Sequence, residues 1–342
     1  MNEMMTASLI REHGGPEQLR IETVQRPRPG AGEALVRVAA CALNHLDIFV
    51  RRGTPGIAVE LPHTAGGDIA GRVQELGPQT AGPAPGAPVL VDPAVSAGTI
   101  GENTPGGLAQ YVLVPAENLI ELDASDRLIE MAALPIAYGT AHRMLLTRAA
   151  LRGGETLVVV GASGGVGVAC VQLGKRAGAR VIACTSTAAK AERLRSLGAD
   201  ECVVAGDGAY SRQVWDLTGR QGADVVVDYS GVDTWPQSVR CVRRHGRLMT
   251  CGATSGYAAV TDLRYVWVRE IDIRGSDGWT RDDLLRLVEL VRSDELRPVI
   301  HAVHPLSRVH DAVSELEQRR TFGKVLVVPD DLYSEVTDNV HD

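Results

Sequence analysis

Two patterns of apolar positions divide the chain. Up to about Ala124, short aliphatic runs at 34–40, 69–76, 88–92 and 108–115 are separated by glycine and proline clusters, the rhythm of an irregular β-rich domain. From Leu128 the pattern turns to Ala-rich helical stretches and then to a regular alternation of apolar strand and helix. It predicts strands at 156–161, 180–184, 201–204, 223–229, 247–251 and 271–275, with helices such as 165–177 and 188–197 between them. Runs such as Val158-Val159-Val160 and Val225-Val226-Val227 have no polar face, so they suit strands buried on both sides. Six such strands joined by crossovers make an α/β, doubly wound parallel sheet. Beyond Arg281, a helix (282–292), a strand (298–303), a helix (307–317) and a strand (324–328) return to complete the first domain. The division is then 1–127 with 272–342 for the β-rich domain and 128–271 for the parallel sheet.

Composition narrows the class. A chain of 342 residues, 44% hydrophobic and 23% charged, is long enough for two cores and excludes disorder as its main state. Lys and Arg number 35 against 42 Asp and Glu, a net charge of −7 with no basic block. That balance argues against nucleic acid or a polybasic membrane surface as partner. No apolar run approaches the length of a membrane span, and the first dozen residues carry acids rather than a basic and then apolar leader. A cytoplasmic setting is the expectation. The six cysteines (Cys41, Cys170, Cys184, Cys202, Cys241, Cys251) form no C-x-x-C pair and read as reduced thiols.

The densest chemical signal follows the strand that ends at Val160: Gly161-Ala162-Ser163-Gly164-Gly165-Val166-Gly167, and then a helix. A dinucleotide pyrophosphate needs a tight turn, a close backbone approach and a helix N-terminus with free N–H groups, and glycines here supply all three. The next strand ends in Cys184-Thr185-Ser186-Thr187, without the acid that would accept from the ribose 2′-hydroxyl of NAD. Lys190 and Arg193 lie just beyond, and a 2′-phosphate favours such cations, which points to NADPH. The plain alternative makes them a solvated helix face. Gly231, Gly252 and Ala253 stand at carboxyl ends of strands, where open α/β sheets bind ligands.

The chain resembles the medium-chain dehydrogenase/reductase superfamily along nearly its whole length. The likeness rests on Asn44-His45-Leu46-Asp47 with Arg51-Arg52-Gly53, Gly66-Gly67-Asp68-Ile69-Ala70-Gly71, Gly107-Leu108-Ala109-Gln110-Tyr111-Val112, the 161–167 loop and Phe322-Gly323-Lys324. It implies a Rossmann doubly wound parallel sheet plus a β-rich GroES-like catalytic domain. In the zinc branch of the family, the first cysteine ligand corresponds to Asn44, the histidine ligand to Gly67, and the second cysteine falls in Leu134-Pro135-Ile136. None of these is a thiolate or imidazole, and 92–105, where a structural zinc loop would lie, has no cysteine. The resemblance therefore implies the zinc-free quinone oxidoreductase and enoyl reductase branch. The expected reaction passes a hydride from NADPH to the C=C of an α,β-unsaturated carbonyl or to a quinone, where hydrogen-bond donors suffice for the developing enolate.

By the same resemblance, Asn44 lies beside the nicotinamide as a donor to the substrate carbonyl, or else closes the loop before Asp47. Tyr138, in Ala137-Tyr138-Gly139-Thr140-Ala141, either donates to substrate or lines its pocket, and Thr140 contacts the cofactor. His45 is a candidate proton relay set against bulk water, and Asp47 a loop holder. Ser276 and Lys324 belong to segments resembling the family's cofactor-covering loops; Lys324 either reaches a phosphate or is exposed. A homodimer through edge strands of the parallel sheet is implied as well. The competing functions are a metal-free ketone or aldehyde reductase, and an NADPH-binding protein with little turnover.

Overall fold

A computed structural model describes residues 3–54, 56, 58–205 and 209–335 and separates into two compact units, Met1–Ile136 with Leu284–Asp342 and Ala137–Asp283. The first unit opens with an antiparallel pair, β1 (Met4–Ile10) and β2 (Leu19–Gln25). There follow β3 (Glu33–Ala42), α1 (His45–Arg52), β4 (Asp68–Leu76), β5 (Pro88–Val91), the short pair β6 (Ala94–Val95) and β7 (Gly98–Thr99), β8 (Tyr111–Pro115), β9 (Leu119–Glu121) and α2 (Leu128–Ala132). The second unit carries α3 (Gly139–His142), β10 (Thr156–Val160), α4 (Gly165–Arg176), β11 (Arg180–Thr185), α5 (Ala188–Ser196), β12 (Glu201–Val204), α6 (Ser211–Leu217), β13 (Ala223–Val227), α7 (Trp235–Cys241), β14 (Val242–Thr250), α8 (Leu263–Arg269) and β15 (Asp272–Gly275). Helix α9 (Arg281–Arg292) crosses the boundary, and β16 (Ile300–Pro305), α10 (Val309–Glu317) and β17 (Lys324–Val328) return to the first unit.

The first unit's sheet is ordered β16-β17-β3-β4-β5-β9, with β8 also on β3. Val36, Val38, Ile69, Val89, Val112 and Val327 fill its core, aliphatic residues packing where the chain has only two phenylalanines. Strand β17 runs antiparallel to β3, with Leu326 opposite Ala42 and Val327 opposite Cys41. That register brings the first residue of β17, Lys324, to the loop that leaves β3 at Leu43 and Asn44.

In the second unit all six strands are parallel, in the order β12-β11-β10-β13-β14-β15. The order reverses at β10, which makes its carboxyl end the switch point where such sheets bind ligands. Val158, Val160, Ile182, Val226 and Leu248 are buried on this sheet, as their unbroken apolar runs require. Two expectations need correction. The sheet domain extends over 137–283 rather than 128–271, because β15 pairs with β14 and belongs to this sheet. Strand β14 starts at Val242, five residues before the apolar run, because Val242 already pairs with Ala223 of β13; a register shift with His245 at a φ of 61° then precedes the regular ladder from Arg247. Among the described residues no helix is long and apolar enough to cross a membrane.

Helix α4 meets the strand-to-helix loop so closely that a Cβ on Gly167 would lie 2.6 Å from the Ala162 backbone. Gly167→Ala is expected to destabilise the protein by about 1–3 kcal/mol, the usual range for overpacking. Denaturant titration checks this against Gly153→Ala, whose Cβ would meet nothing closer than 3.4 Å; equal midpoints for the two variants would contradict it.

Candidate functional site

In the first unit the sequence between β3 and α1 builds a buried polar cluster. Asn44 precedes α1, and Asp47 in the first turn reaches back, its Oδ2 accepting from the Asn44 N–H at 2.7 Å and its Oδ1 from the Gly66 N–H at 2.8 Å. Asp47 thus ties the helix start to the loop before β4, as a loop holder would. Burial pushes its carboxyl up to about 6, against the pull of the Asn44 N–H and the Lys324 charge.

Beside it lies the ammonium of Lys324, 2% exposed, against the fully buried Asp68. Its Nζ donates to the Leu43 carbonyl at 2.9 Å, to Asn44 Oδ1 at 2.6 Å and to Asp68 Oδ2 at 2.9 Å. An ammonium has three donors, and all three are used here. Lys324 is therefore neither exposed nor available to a cofactor phosphate, which corrects the expectation for it. The other Asp68 oxygen accepts from the Ile136 N–H at 2.7 Å. Asn44 is oriented by the same pair, with Oδ1 toward Lys324 and Nδ2 donating to Asp68 Oδ2 at 2.9 Å. Its second N–H has only a long, 3.4 Å approach to the Ala42 carbonyl.

His45 does not have the ordinary imidazole pKa that a relay at neutral pH would use. Burial, helped by the charges of Arg319, Lys324 and Arg52, pulls it down to about 4, so the ring is neutral at pH 7 and has no imidazolium proton to give. The metal-ligand positions of the zinc branch do not suit a metal here. Asn44 is engaged by the ion pair, and a Cβ at Gly67 would lie 2.7 Å from the Ile100 carbonyl oxygen and 3.0 Å from Ile136 Cδ1, so no side chain fits at that position. Among the described residues no group of three or more His, Cys, Asp and Glu is arranged to hold a metal ion.

The second unit holds the glycine loop. Gly161 takes a positive φ of 70°, the conformation that the turn out of β10 requires, and its carbonyl accepts from the Tyr229 hydroxyl at 2.7 Å. Gly164 caps α4 in extended conformation, and Ser163, Gly165 and Val166 are partly exposed around the helix N-terminus, whose first-turn N–H groups are free of intrahelical bonds. Asp228, just past β13, organises the next loop: Oδ1 accepts from Ser230 N, Gly231 N and Thr234 Oγ1, and Oδ2 from Ser238 Oγ. Gly252 and Ala253 follow β14, and Ser276 follows β15. The hydroxyls of Thr185, at the end of β11, and of Ser276 are buried with no hydrogen-bond partner among the described residues. Orphaned hydroxyls at two strand ends, a positive-φ glycine and a free helix N-terminus together fit a dinucleotide.

Ser186 is exposed at the end of β11, and Thr187 Oγ1 caps α5 by accepting from Lys190 N at 3.3 Å. Lys190 is half-buried, and burial together with the Arg193 charge lowers its pKa, so an anion there would relieve the crowding of two cations. Thr140 is buried in α3, which packs on α4. Tyr138 is fully buried and its hydroxyl accepts from Gln172 Nε2 at 3.3 Å. That burial favours a packing role over donation to substrate. Sequence reasoning missed the Lys324–Asp68 pair, the Asp228 hub and Thr185. The signal for the first was a lysine opening the otherwise apolar Lys324-Val325-Leu326-Val327-Val328 run, which needs a buried acid.

Residues 30–124 match the family model described as alcohol dehydrogenase GroES-like domain, and residues 165–293 the one described as zinc-binding dehydrogenase. The chain is 29% identical to a 2-haloacrylate reductase of Burkholderia sp over 95% of its length and 99% of the relative's. It is 27% identical to a quinone oxidoreductase of Lama guanicoe, over 95% and 98%. A crystal structure of an NAD-dependent alcohol dehydrogenase superposes with a TM-score of 0.90 at 35% identity, covering 95% of this chain and 99% of that one.

Removing the buried cation should strand Asp68. Lys324→Met is expected to destabilise the protein by about 3–5 kcal/mol, the range for breaking one side of a buried ion pair, and adding Asp68→Asn should recover part of it. Denaturant titration of the two variants decides: a double variant less stable than the single one would show that the pair is not what holds these strands together.

Proposed function

The chain belongs to the medium-chain dehydrogenase/reductase superfamily, and from that premise we propose that it transfers a hydride from NADPH to the C=C of an α,β-unsaturated carbonyl, or to a quinone, without zinc. The observation that carries this reading is the Lys324–Asp68–Asn44 network, which occupies with an ion pair the region where the zinc branch has metal ligands. Reduction of a simple ketone leans on a Lewis acid to polarise the oxygen. A conjugated acceptor spreads the incoming charge onto its oxygen as an enolate, for which fixed hydrogen-bond donors are enough.

The bound nicotinamide supplies the hydride. The protein's part is to hold and orient. Lys324 takes the Asn44 carbonyl oxygen and Asp68 takes one amide N–H; the second N–H, with only the long contact to Ala42, is the donor for the substrate oxygen. Water rather than His45 delivers the proton to the α-carbon, since that ring is neutral at pH 7. Lys190 and Arg193 take the 2′-phosphate and so favour NADPH, in contrast to the relative named as NAD-dependent. The 2-haloacrylate reductase and quinone oxidoreductase names fit acceptors of this kind.

The same reading includes a homodimer. Strand β15 is an edge of the parallel sheet, with Ile273 42% exposed, and α8 turns Leu263, Trp267 and Val268 to the outside. Light scattering should give twice the chain mass, and Ile273→Lys should shift it toward the monomer; a monomeric wild-type protein rejects this part of the proposal.

The deciding experiment is oxidation of NADPH and NADH against enones, quinones and simple ketones, with and without a chelator, on the wild type and Lys190→Ala. Chelator-insensitive turnover of enones or quinones is expected, with NADPH weakened at least tenfold more than NADH by Lys190→Ala. Chelator-sensitive ketone reduction would overturn the zinc-free reading, and equal losses for both cofactors would place 2′-phosphate recognition elsewhere.

A further inference from the structure

We propose that the second unit carries another anion site, distinct from the glycine loop, built to take a compact diphosphate. A cavity of about 370 Å³ is lined by α6, the last turn of α7 and α8, with Arg212, Trp215, Arg220, Arg240, Tyr265 and Arg269 around it. Four guanidinium groups share it with one carboxylate, Asp216, which lies 3.9 Å from Arg220 with both side chains exposed. In a chain with a net charge of −7, the sign is locally inverted. Among the described residues neither Arg212 nor Arg240 forms an ion pair; the acid that feels the Arg240 charge, Asp262, is itself paired with Arg264.

One wall of the cavity is fixed. Arg269 Nη1 donates to the Arg240 and Val242 carbonyls at 2.7 and 2.9 Å, and its guanidinium carbon lies 4.6 Å from the Trp215 ring centroid and 4.8 Å from that of Tyr265. Trp215 Nε1 donates to the same Arg240 carbonyl at 2.7 Å. Burial lowers the Arg269 pKa, as for a cation held without a counter-ion. Arg212, Arg220 and Arg240 are exposed at the mouth, where planar forks suit phosphoryl oxygens bidentately. Three such forks around one open depression can hold more phosphoryl oxygens than a single tetrahedral anion offers, which favours a diphosphate over sulfate.

The site is not the cofactor cradle. Arg240 lies in the last turn of α7 just before β14 begins, and Arg269 closes α8 just before β15, so both stand at the amino ends of the parallel strands. The glycine loop follows the carboxyl end of β10. Five residues of strand separate the two ends by roughly 16 Å.

Pyrophosphate is the probe, titrated calorimetrically into the full chain with and without saturating NADP+, with sulfate at matched ionic strength as control. One saturable pyrophosphate per chain is expected, undisplaced by NADP+ and bound at least tenfold more weakly by Arg212→Gln/Arg240→Gln, whose exposed positions leave the fold intact by circular dichroism. Displacement by NADP+, sulfate binding as tightly, unchanged affinity in the variant or no saturable binding would each overturn the proposal. None of these outcomes depends on the acceptor the enzyme reduces.

Discussion

A single buried ammonium holds together three pieces of chain that are far apart in sequence. Lys324 opens β17, Leu43 and Asn44 leave β3, and Asp68 opens β4, and all of them meet at one Nζ. Burying an ion is costly unless its partners are complete, and here every donor has an acceptor. The neighbouring acid is complete as well, since Asp68 also accepts from the Ile136 backbone N–H and from the Asn44 side-chain Nδ2. The consequence is orientation: an asparagine amide whose two ends are told apart by a cation and a carboxylate cannot flip, so its donor face is fixed.

The second unit reaches the same end by other means. Its loops at the carboxyl ends of the strands are held by Asp228, which gathers four donors, and by Tyr229, which donates to the Gly161 carbonyl. These bonds satisfy the loop from behind and leave the first-turn N–H groups of α4 for an anion. Among the described residues two buried hydroxyls at strand ends, on Thr185 and Ser276, have no hydrogen-bond partner.

What the sequence disclosed follows from the kind of signal each feature emits. The parallel sheet was legible because strands buried on both faces are unbroken apolar runs, and the glycine loop because its position between strand and helix is local. Strand β14 was misplaced at its start because Val242 is followed by charged residues and joins the sheet through a pairing with Ala223 of β13 that lies ahead of a register shift. Lys324 was misread for the same reason. Its environment is set by residues more than 250 positions away, and no local pattern distinguishes a lysine that enters the core from one that leaves it. Asn44 and His45 were placed by resemblance, but their partners and charge states come from burial.

Burial also ties the charge of the cluster to pH. His45, with a pKa pulled down to about 4, contributes stability that is present above pH 6.5 and lost as pH falls through 4, because the unfolded chain takes its proton first. Asp47, pushed up to about 6, has the opposite sign: its contribution is full below its unfolded value near 3.8 and is lost as pH rises through 6. Each spans about two pKa units, on the order of 3 kcal/mol, and between pH 4 and 6 the two slopes oppose each other. At neutral pH His45 is already uncharged and Asp47 is ionised. Because Asp47 Oδ2 accepts from the Asn44 N–H, the charge beside Asn44 falls away as pH drops through about 6, while the contacts of its side-chain amide to Lys324 and Asp68 set its orientation.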